Sequence, residues 1–233
     1  MQPNKIYGII AAMKIEAEGL IAEMTEVQSE KVSGIVFTRG KLRGATCVVA
    51  VCGIGKVFAA LCAQTMILRY HPTLIINTGV AGSLTDGIGV YDIVIAEGVV
   101  QHDMDTSALG DPVGYLSGID RVVLPCSKAI AEGLLLSAEK ATPSRCHKGV
   151  IATGDRFVYR AEDKATIVSS FGALACEMEG GAVAQVCYVN GVDCAIVRAI
   201  SDSNGAVDYT VFAAEAASRS VSTLLCFLEA EGA

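Results

Sequence analysis

Three carboxylates stand where predicted β-strands end, and together they could serve the cleavage of a glycosidic bond. Glu16 follows the first predicted strand in AAMKIEAE, Glu179 closes a strand in ACEMEGG, and Asp202 closes the last strand in VRAISD. Ligands of open α/β sheets bind at such strand ends. Breaking an N-glycosidic bond requires an acid that protonates the leaving base, a group that holds the sugar and a base that activates water. Three separate carboxylates could fill these three roles.

These motifs also have ordinary structural explanations. Each carboxylate could be a helix N-cap or an acid in the first turn of a helix. The turns CGIGK at 52–56 and NTGVAG at 77–82 could let the backbone approach a ligand, or they could be tight turns. CGIGK lacks the third glycine of a dinucleotide fingerprint, so neither turn calls for a nucleotide cofactor. Phe157 in TGDRFV could stack on a flat base or belong to the core.

The elements that must position these residues alternate between short apolar strands and helical patterns, which is typical of a mixed sheet flanked by helices. The predicted strands are 6–12, 35–39, 46–51, 74–77, 92–96, 149–152, 174–177 and 195–200. The predicted helices are 15–24, 56–70, 128–140, 161–170, 181–189 and 210–229, of which the last has the clearest 3.6-residue period. The polar segment 101–121 is long for a connection and is predicted to be a binding or interface loop.

Taken together, the motifs resemble the methylthioadenosine/S-adenosylhomocysteine nucleosidases of the purine nucleoside phosphorylase superfamily over essentially the whole chain. AAMKIEAE is similar to the family's GAMxxE segment, CGIGK to SGIGK, and INTGVAG to INTGSAG. HDMD at 102–105 is similar to HDAD, TGDRFV to SGDxFI and CEMEGGAVAQVC to VEMEATAIAQVC, while VRAISD is identical to the family segment. The order of the motifs along the chain makes the resemblance specific.

The resemblance implies a catalytic role for two of the carboxylates. Asp202 would be the acid that protonates N7 of adenine, with Ser201 beside it. Glu16 would be the base that activates water. Glu179 would bind the ribose hydroxyls, and Met178 would pack against the sugar.

The resemblance also implies how the rest of the substrate is held. Arg198 would help to hold the water and the sugar, Phe157 would stack on adenine, and the backbone of Val158 would read the base edge. Tyr209 stands where the family has an aromatic residue over the ribose and the 5' substituent. Val80 departs from the family, which often has a serine hydroxyl there near the water, and Gln101 stands where an aromatic residue often precedes the HDAD-like motif. The departure at Val80 affects how the water is positioned, which would then depend more on Glu16 and Arg198, and the departure at Gln101 affects the pocket for the 5' substituent and with it substrate preference.

The fold implied is a three-layer α/β/α sandwich with a central mixed sheet, like that of the nucleoside phosphorylases. A length of 233 residues suits a single domain spanning 1–233. The resemblance further implies a homodimer, in which the loop 101–115 would lie near the neighbour's site.

Composition excludes several other classes of protein. A net charge of -7 provides no basic stripe for nucleic acid. No apolar run reaches the roughly 18 to 20 residues of a membrane span, and the N-terminus lacks the pattern of a signal peptide, so we expect a cytoplasmic protein without a membrane partner. The nine cysteines mostly lie in apolar runs and should act as small core residues. With no CxxC and three histidines, we expect no metal and no cofactor.

The expected activity is hydrolysis of 5'-methylthioadenosine and S-adenosylhomocysteine to adenine and the thio-ribose product, in methionine salvage. One alternative is a phosphorylase of the same superfamily, which needs arginines to hold phosphate. The turn 77–82 is uncharged and the N-terminal turn carries Glu16, whose charge would repel a phosphate nucleophile. A second is an aminodeoxyfutalosine nucleosidase, which the sequence leaves open. A third is a protein that binds nucleosides without catalysis. A water-activating base would have no purpose in such a protein.

Overall fold

A ten-stranded mixed sheet organises the molecule. The computed structural model describes residues 5–203 and 206–232. The strands are β1 (Ile6–Ala11), β2 (Thr25–Val32), β3 (Ile35–Leu42), β4 (Ala45–Val51), β5 (Leu74–Ser83), β6 (Ile93–Gln101), β7 (Leu124–Pro125), β8 (Cys146–Thr153), β9 (Ala175–Glu177) and β10 (Asp193–Asp202). The helices are α1 (Glu18–Ala22), α2 (Lys56–Tyr70), α3 (Lys128–Ala141), α4 (Ala161–Phe171), α5 (Gly180–Asn190) and α6 (Ala206–Gly232), with 3₁₀ turns at Lys14–Glu16 and Ser107–Leu109.

Helices cover both faces of the sheet, because its central strands are apolar on both sides. Successive side chains of a strand point to opposite faces. Ile75 therefore packs in the cluster that contains α2 and α5, while Ile76 packs in the cluster that contains α3 and α6. This confirms the predicted three-layer sandwich with a central mixed sheet.

Half of the sheet closes on itself. β5 pairs in parallel with β10 and with β1, β10 pairs antiparallel with β6, and β8 joins β6 to β9, which returns to β5. The strands β1, β4, β3 and β2 extend from β5 as an open wing. Because β1, β5 and β10 run parallel, their carboxyl ends lie side by side, and these ends carry the motifs singled out in the sequence.

Several element boundaries differ from the predicted ones. The helix predicted over 15–24 is a 3₁₀ turn followed by the short α1, and the last helix begins at 206 instead of 210. β2 and β7 were not predicted. β9 ends at Glu177, so Glu179 does not close the strand but lies at the N-cap of α5, without a side-chain capping bond.

The helix α6 packs against β10 and α3. Among the described residues it is the one helix long and apolar enough, by length and composition, to cross a membrane. Half of its most apolar window is nevertheless buried within the protein, with Leu224 and Leu228 fully enclosed. Such burial is typical of a core helix.

Candidate active site

A cavity of about 380 Å³ lies at the carboxyl ends of β1, β5 and β10. This volume is in the range of small-molecule sites. Nine of the ten site residues predicted from the sequence line it, namely Glu16, Val80, Phe157, Val158, Met178, Glu179, Ser201, Asp202 and Tyr209. Arg198 is the predicted residue that does not. Residues from strands, turns and helices that are distant in sequence thus line the same cavity.

Glu16 is held by backbone amides on both of its carboxylate oxygens. Its Oε2 accepts hydrogen bonds from the N–H groups of Ala12 at 3.0 Å and Met13 at 2.8 Å. Its Oε1 accepts one from the N–H of Val80 at 3.0 Å. Burial raises the pKa of Glu16, and the charge of Arg198 and the three N–H groups oppose that rise. The surroundings thus provide a buried carboxylate with donors that favour its ionised form.

The approach of Glu16 to β5 explains a glycine in the INTGVAG motif. A Cβ atom at Gly79 would lie 2.5 Å from Oε1 of Glu16, closer than side chains tolerate. The next residue, Val80, contributes its N–H to Glu16 and its side chain to the cavity wall. The hydroxyl that serine would supply at this position is therefore replaced by an apolar surface, while the backbone contact is kept.

Asp202 has different surroundings. It is 1% exposed, and its Oδ1 accepts a hydrogen bond from the Ser201 hydroxyl at 3.0 Å. Its buried Oδ2 has no hydrogen-bond partner among the described residues. Burial raises the pKa of Asp202, against the lowering effects of Ser201 and of the charge of Lys164. A buried carboxyl with one free oxygen suits a group that carries a proton.

Glu179 and Glu177 lie together at the start of α5. Oε1 of Glu179 accepts a hydrogen bond from the N–H of Gly55 at 2.8 Å. Burial, and next the negative charge of Glu177, raise the pKa of Glu179 to about 7. Glu177 is buried, and its Oε2 accepts hydrogen bonds from the N–H groups of Glu179 at 2.9 Å and Gly180 at 2.7 Å.

Arg198 lies behind this pair. It is 1% exposed and donates to Glu177, to the side-chain oxygen of Asn77 and to the carbonyl of Asn77 at 3.1 Å. Its Nη2 lies 4.0 Å from Oε2 of Glu179. Arg198 thus lies behind the cavity wall, where its charge interacts with those of Glu177, Glu179 and Glu16. Direct contact of Arg198 with water and sugar stays a prediction.

Sequence reasoning missed Glu177. It stands in the CEMEGG motif two residues before Glu179, and it lines the cavity while neutralising Arg198. An acidic residue inside an otherwise apolar buried strand was the available signal, because such a charge requires a partner. Its partner, however, is far along the chain.

One wall of the cavity is apolar and carries the aromatic residues. The rings of Phe157 and Tyr209 meet edge to face with centroids 5.8 Å apart, and the Tyr209 hydroxyl lies 3.1 Å from Sδ of Met13. Phe157 is 42% exposed, so it is not a core residue. Met178 and Ile54 complete the wall. An exposed ring beside carboxylates suits a ligand that has both a flat base and hydroxyls.

No group of three or more His, Cys, Asp or Glu side chains in the described part of the chain is arranged to hold a metal ion. The four cavity carboxylates Glu16, Glu177, Glu179 and Asp202 are instead engaged with N–H groups, hydroxyls or Arg198. These carboxylates can therefore take part in acid and base chemistry.

Comparison with known proteins gives consistent matches. The sequence model of the Phosphorylase superfamily matches residues 6–229. The 5'-methylthioadenosine/S-adenosylhomocysteine nucleosidase of Shewanella loihica is 34% identical over 226 residues, covering 95% of this chain and 98% of the relative. A solved structure of such a nucleosidase from Neisseria meningitidis, in complex with methylthio-immucillin-A, has a TM-score of 0.93 at 30% identity and covers 97% of this chain and 99% of that chain. The futalosine hydrolase of Helicobacter pylori has a TM-score of 0.92 at 31% identity, covering 97% of this chain and 98% of its own.

Proposed function

This chain belongs to the Phosphorylase superfamily, and we propose that it is a nucleosidase that hydrolyses 5'-methylthioadenosine and S-adenosylhomocysteine to adenine and the thio-ribose product. Relatives with this activity align with nearly the whole chain, in sequence and in structure. Methionine salvage is the process in which we place the reaction.

The observation that carries this proposal is the pair of unlike carboxyl groups on one cavity. Oδ2 of Asp202 has no hydrogen-bond partner in the part of the chain that the structure describes, whereas Glu16 has three backbone donors. Asp202, protonated, gives its proton to N7 of adenine while the bond from C1' to N9 breaks, so the base leaves neutral. Glu16 takes a proton from the water whose oxygen forms the new bond to C1'. Atoms and charge balance, and the ribose passes through an oxocarbenium-like state.

The remaining lining residues hold the substrate. Glu179 accepts hydrogen bonds from the ribose hydroxyls, and Met178 packs against the sugar. Phe157 stacks on adenine, and the backbone of Val158 reads the base edge. Tyr209, edge to face with Phe157, covers the ribose and the 5' substituent.

Water, not phosphate, is the nucleophile in this proposal. Four carboxylates line the cavity, and Arg156, which is the lining cation among the described residues, is paired with Asp163 at 3.0 Å. An anion at C1' would therefore be repelled. The test is incubation with methylthioadenosine in phosphate-free buffer, where we expect full release of adenine and free thioribose. A strict phosphate requirement, or a ribose 1-phosphate product, would show a phosphorylase instead.

A second candidate substrate is aminodeoxyfutalosine, favoured by the likeness to the futalosine hydrolase. The adenine and ribose contacts would be the same, and the 5' substituent would differ. Comparing kcat/KM for methylthioadenosine, S-adenosylhomocysteine and aminodeoxyfutalosine ranks the three. A preference above about tenfold for aminodeoxyfutalosine would reverse our assignment.

We further propose that the chain acts as a single domain in a cytoplasmic homodimer. Beside the cavity, Ile54, Val57, Phe58 and Leu61 expose between 42% and 78% of their surface, which is unusual for apolar residues gathered around the start of one helix. A second copy would cover them with an interface larger than about 800 Å². Sedimentation should give twice 24.2 kDa. A dilute sample that is monomeric and fully active would contradict the dimer.

A further inference from the structure

Three turns from separate motifs meet on the outer side of the cavity. They are the CGIGK turn, the HDMD turn and the TGDRFV turn. Asp103 accepts a hydrogen bond from Nζ of Lys56 at 2.6 Å and another from the N–H of Asp155 at 2.9 Å. Asp155 accepts one from the N–H of Lys56 at 2.8 Å. We call Lys56, Asp103 and Asp155 the clasp. Each of its members contacts the other two.

The clasp connects the two halves of the cavity. Phe157 and Val158, which line the base side, follow Asp155 by two and three residues. On the other side, Gly55 immediately precedes Lys56 and donates its N–H to Glu179 at 2.8 Å. The base-stacking wall and the support of the ribose-binding carboxylate are therefore fixed to each other through three polar contacts.

The local backbone cannot supply this connection by itself. α2 begins at Lys56, and its N-cap Gly55 has no side chain, so the carboxylate of Asp155 takes the role of a cap from another part of the chain. Close packing holds the turn that carries Asp155. A Cβ atom at Gly154 would overlap the ring of His102, so this turn rests directly on the residue that precedes Asp103.

The clasp is held by an ion pair as well as by close packing. Burial raises the pKa of Asp103, but the hydrogen bonds from Lys56 and from the Asp155 N–H outweigh burial and hold that pKa below its ordinary value. Asp103 is therefore an anion throughout the neutral range, and its ion pair with Lys56 persists there.

We propose that the clasp is a positioning device, which sets the separation between the base-stacking wall and the ribose-binding side of the cavity. The proposal rests on the proposed nucleosidase function. Loosening the clasp leaves Glu16 and Asp202 in place, because neither contacts it. Substrate must then order the two halves when it binds, so KM rises while kcat changes little.

The test uses Asp103→Asn, Lys56→Met and the double variant of the full-length protein. The carboxamide of Asp103→Asn can still accept from the Asp155 N–H, so that substitution removes mainly the charge. We expect each single variant to raise KM for methylthioadenosine about tenfold with kcat within about threefold, and the double variant to be no worse than the poorer single one. Asp103→Glu should recover part of the loss. Arg69→Met, which removes the exposed ion pair with Glu30 at the other end of α2, is the matched control and should leave KM unchanged.

Hydrogen exchange of segments 53–58 and 154–158 provides a readout that needs no substrate. Both segments should exchange faster together in Asp103→Asn and in Lys56→Met, and not in Arg69→Met. Folded variants with wild-type KM and wild-type exchange would overturn the proposal. If the wild-type protein releases no adenine, the proposed function fails, and the exchange result still decides whether the clasp joins the two segments.

Discussion

The ends of the first and the last central strand present two buried carboxyl groups to the same cavity, in opposite states of hydrogen bonding. Glu16, after β1, receives three backbone N–H groups, two on one oxygen and one on the other. Asp202, at the end of β10, receives one hydroxyl on Oδ1 and nothing from the described residues on Oδ2. Burial raises the pKa of both.

Burial alone therefore does not assign a role to a carboxyl group. Donors aimed at both oxygens favour the anion of Glu16, while Oε1, with one donor, keeps a lone pair that can accept a proton. Oδ2 of Asp202 has no donor among the described residues, and this favours the protonated form. The difference supports the proposed roles of Glu16 as the base and Asp202 as the acid, and substitution can test the two roles separately.

Glu16→Gln should have the largest effect. The amide cannot accept a proton from water, so we expect turnover at saturating substrate to fall by about 10²- to 10⁴-fold, with binding of adenine analogues retained. The amide NH₂ would also face one backbone N–H, which should lower the free energy of unfolding by about 1–3 kcal/mol. Stopped assays of adenine release and thermal unfolding measure the two effects. If Glu16→Gln turned over at the wild-type rate, Glu16 would not be the base, and it would be only an acidic residue at a helix terminus.

Asp202→Asn should lower the rate by at least about 10²-fold, because asparagine has no carboxyl proton to give to the leaving base. The carboxamide keeps the size of the side chain and can still accept from Ser201, so the melting temperature should remain near that of the wild type. Asp193→Asn, at the exposed start of the same strand, is the matched control and should be fully active. If Asp202→Asn releases adenine at a near wild-type rate, the acid is another residue.

Burial explains which elements of the fold the sequence predicted correctly and which it missed. The bounds of α2 were predicted as 56–70 and are observed as such, because its apolar residues lie between a glycine turn and His71, which ends the helix in a left-handed conformation. β2 was missed because almost all of its residues are exposed, so TEVQSEKV shows no apolar alternation. Its strand conformation comes from pairing with β3.

The site, like the fold, was predicted in part. Nine of the residues that the motifs identified line one cavity, but the motifs did not show that Arg198 lies behind the cavity wall. The ion pair of Arg198 with Glu177 joins two strands, β10 and β9, at residues 21 positions apart in the sequence. No local sequence pattern indicates such a contact. Motifs can name chemically suitable residues, whereas contacts between distant strands decide which of them face the ligand.

Glu179 adds a third case to the comparison, because it accepts one backbone N–H, that of Gly55, and lies 4.0 Å from Nη2 of Arg198. Its pKa is raised to about 7. In the proposed binding mode the ionised form accepts hydrogen bonds from the ribose hydroxyls, so KM should fall as pH rises through about 7. Glu179→Gln should raise KM about tenfold at about pH 8 and remove this pH dependence. A pH profile of KM in which the wild type and the variant run parallel would assign the dependence to another group.

Ser201→Ala should have the smallest effect on the rate and the most specific effect on its pH dependence. The hydroxyl of Ser201 donates to Oδ1 of Asp202, which favours the carboxylate and lowers the pKa of Asp202. Removing the donor therefore raises that pKa further. In the proposed mechanism Asp202 must be protonated and Glu16 ionised. The alkaline limb of the rate profile should therefore move to higher pH, while the acid limb should stay in place. The loss of one neutral hydrogen bond should change the plateau rate by about 2- to 5-fold.

A profile of kcat against pH for the wild type and for Ser201→Ala measures the shift of the alkaline limb. If the alkaline limb does not move, or moves to lower pH, then Asp202 does not supply the proton, and the contrast between the two strand ends is structural only.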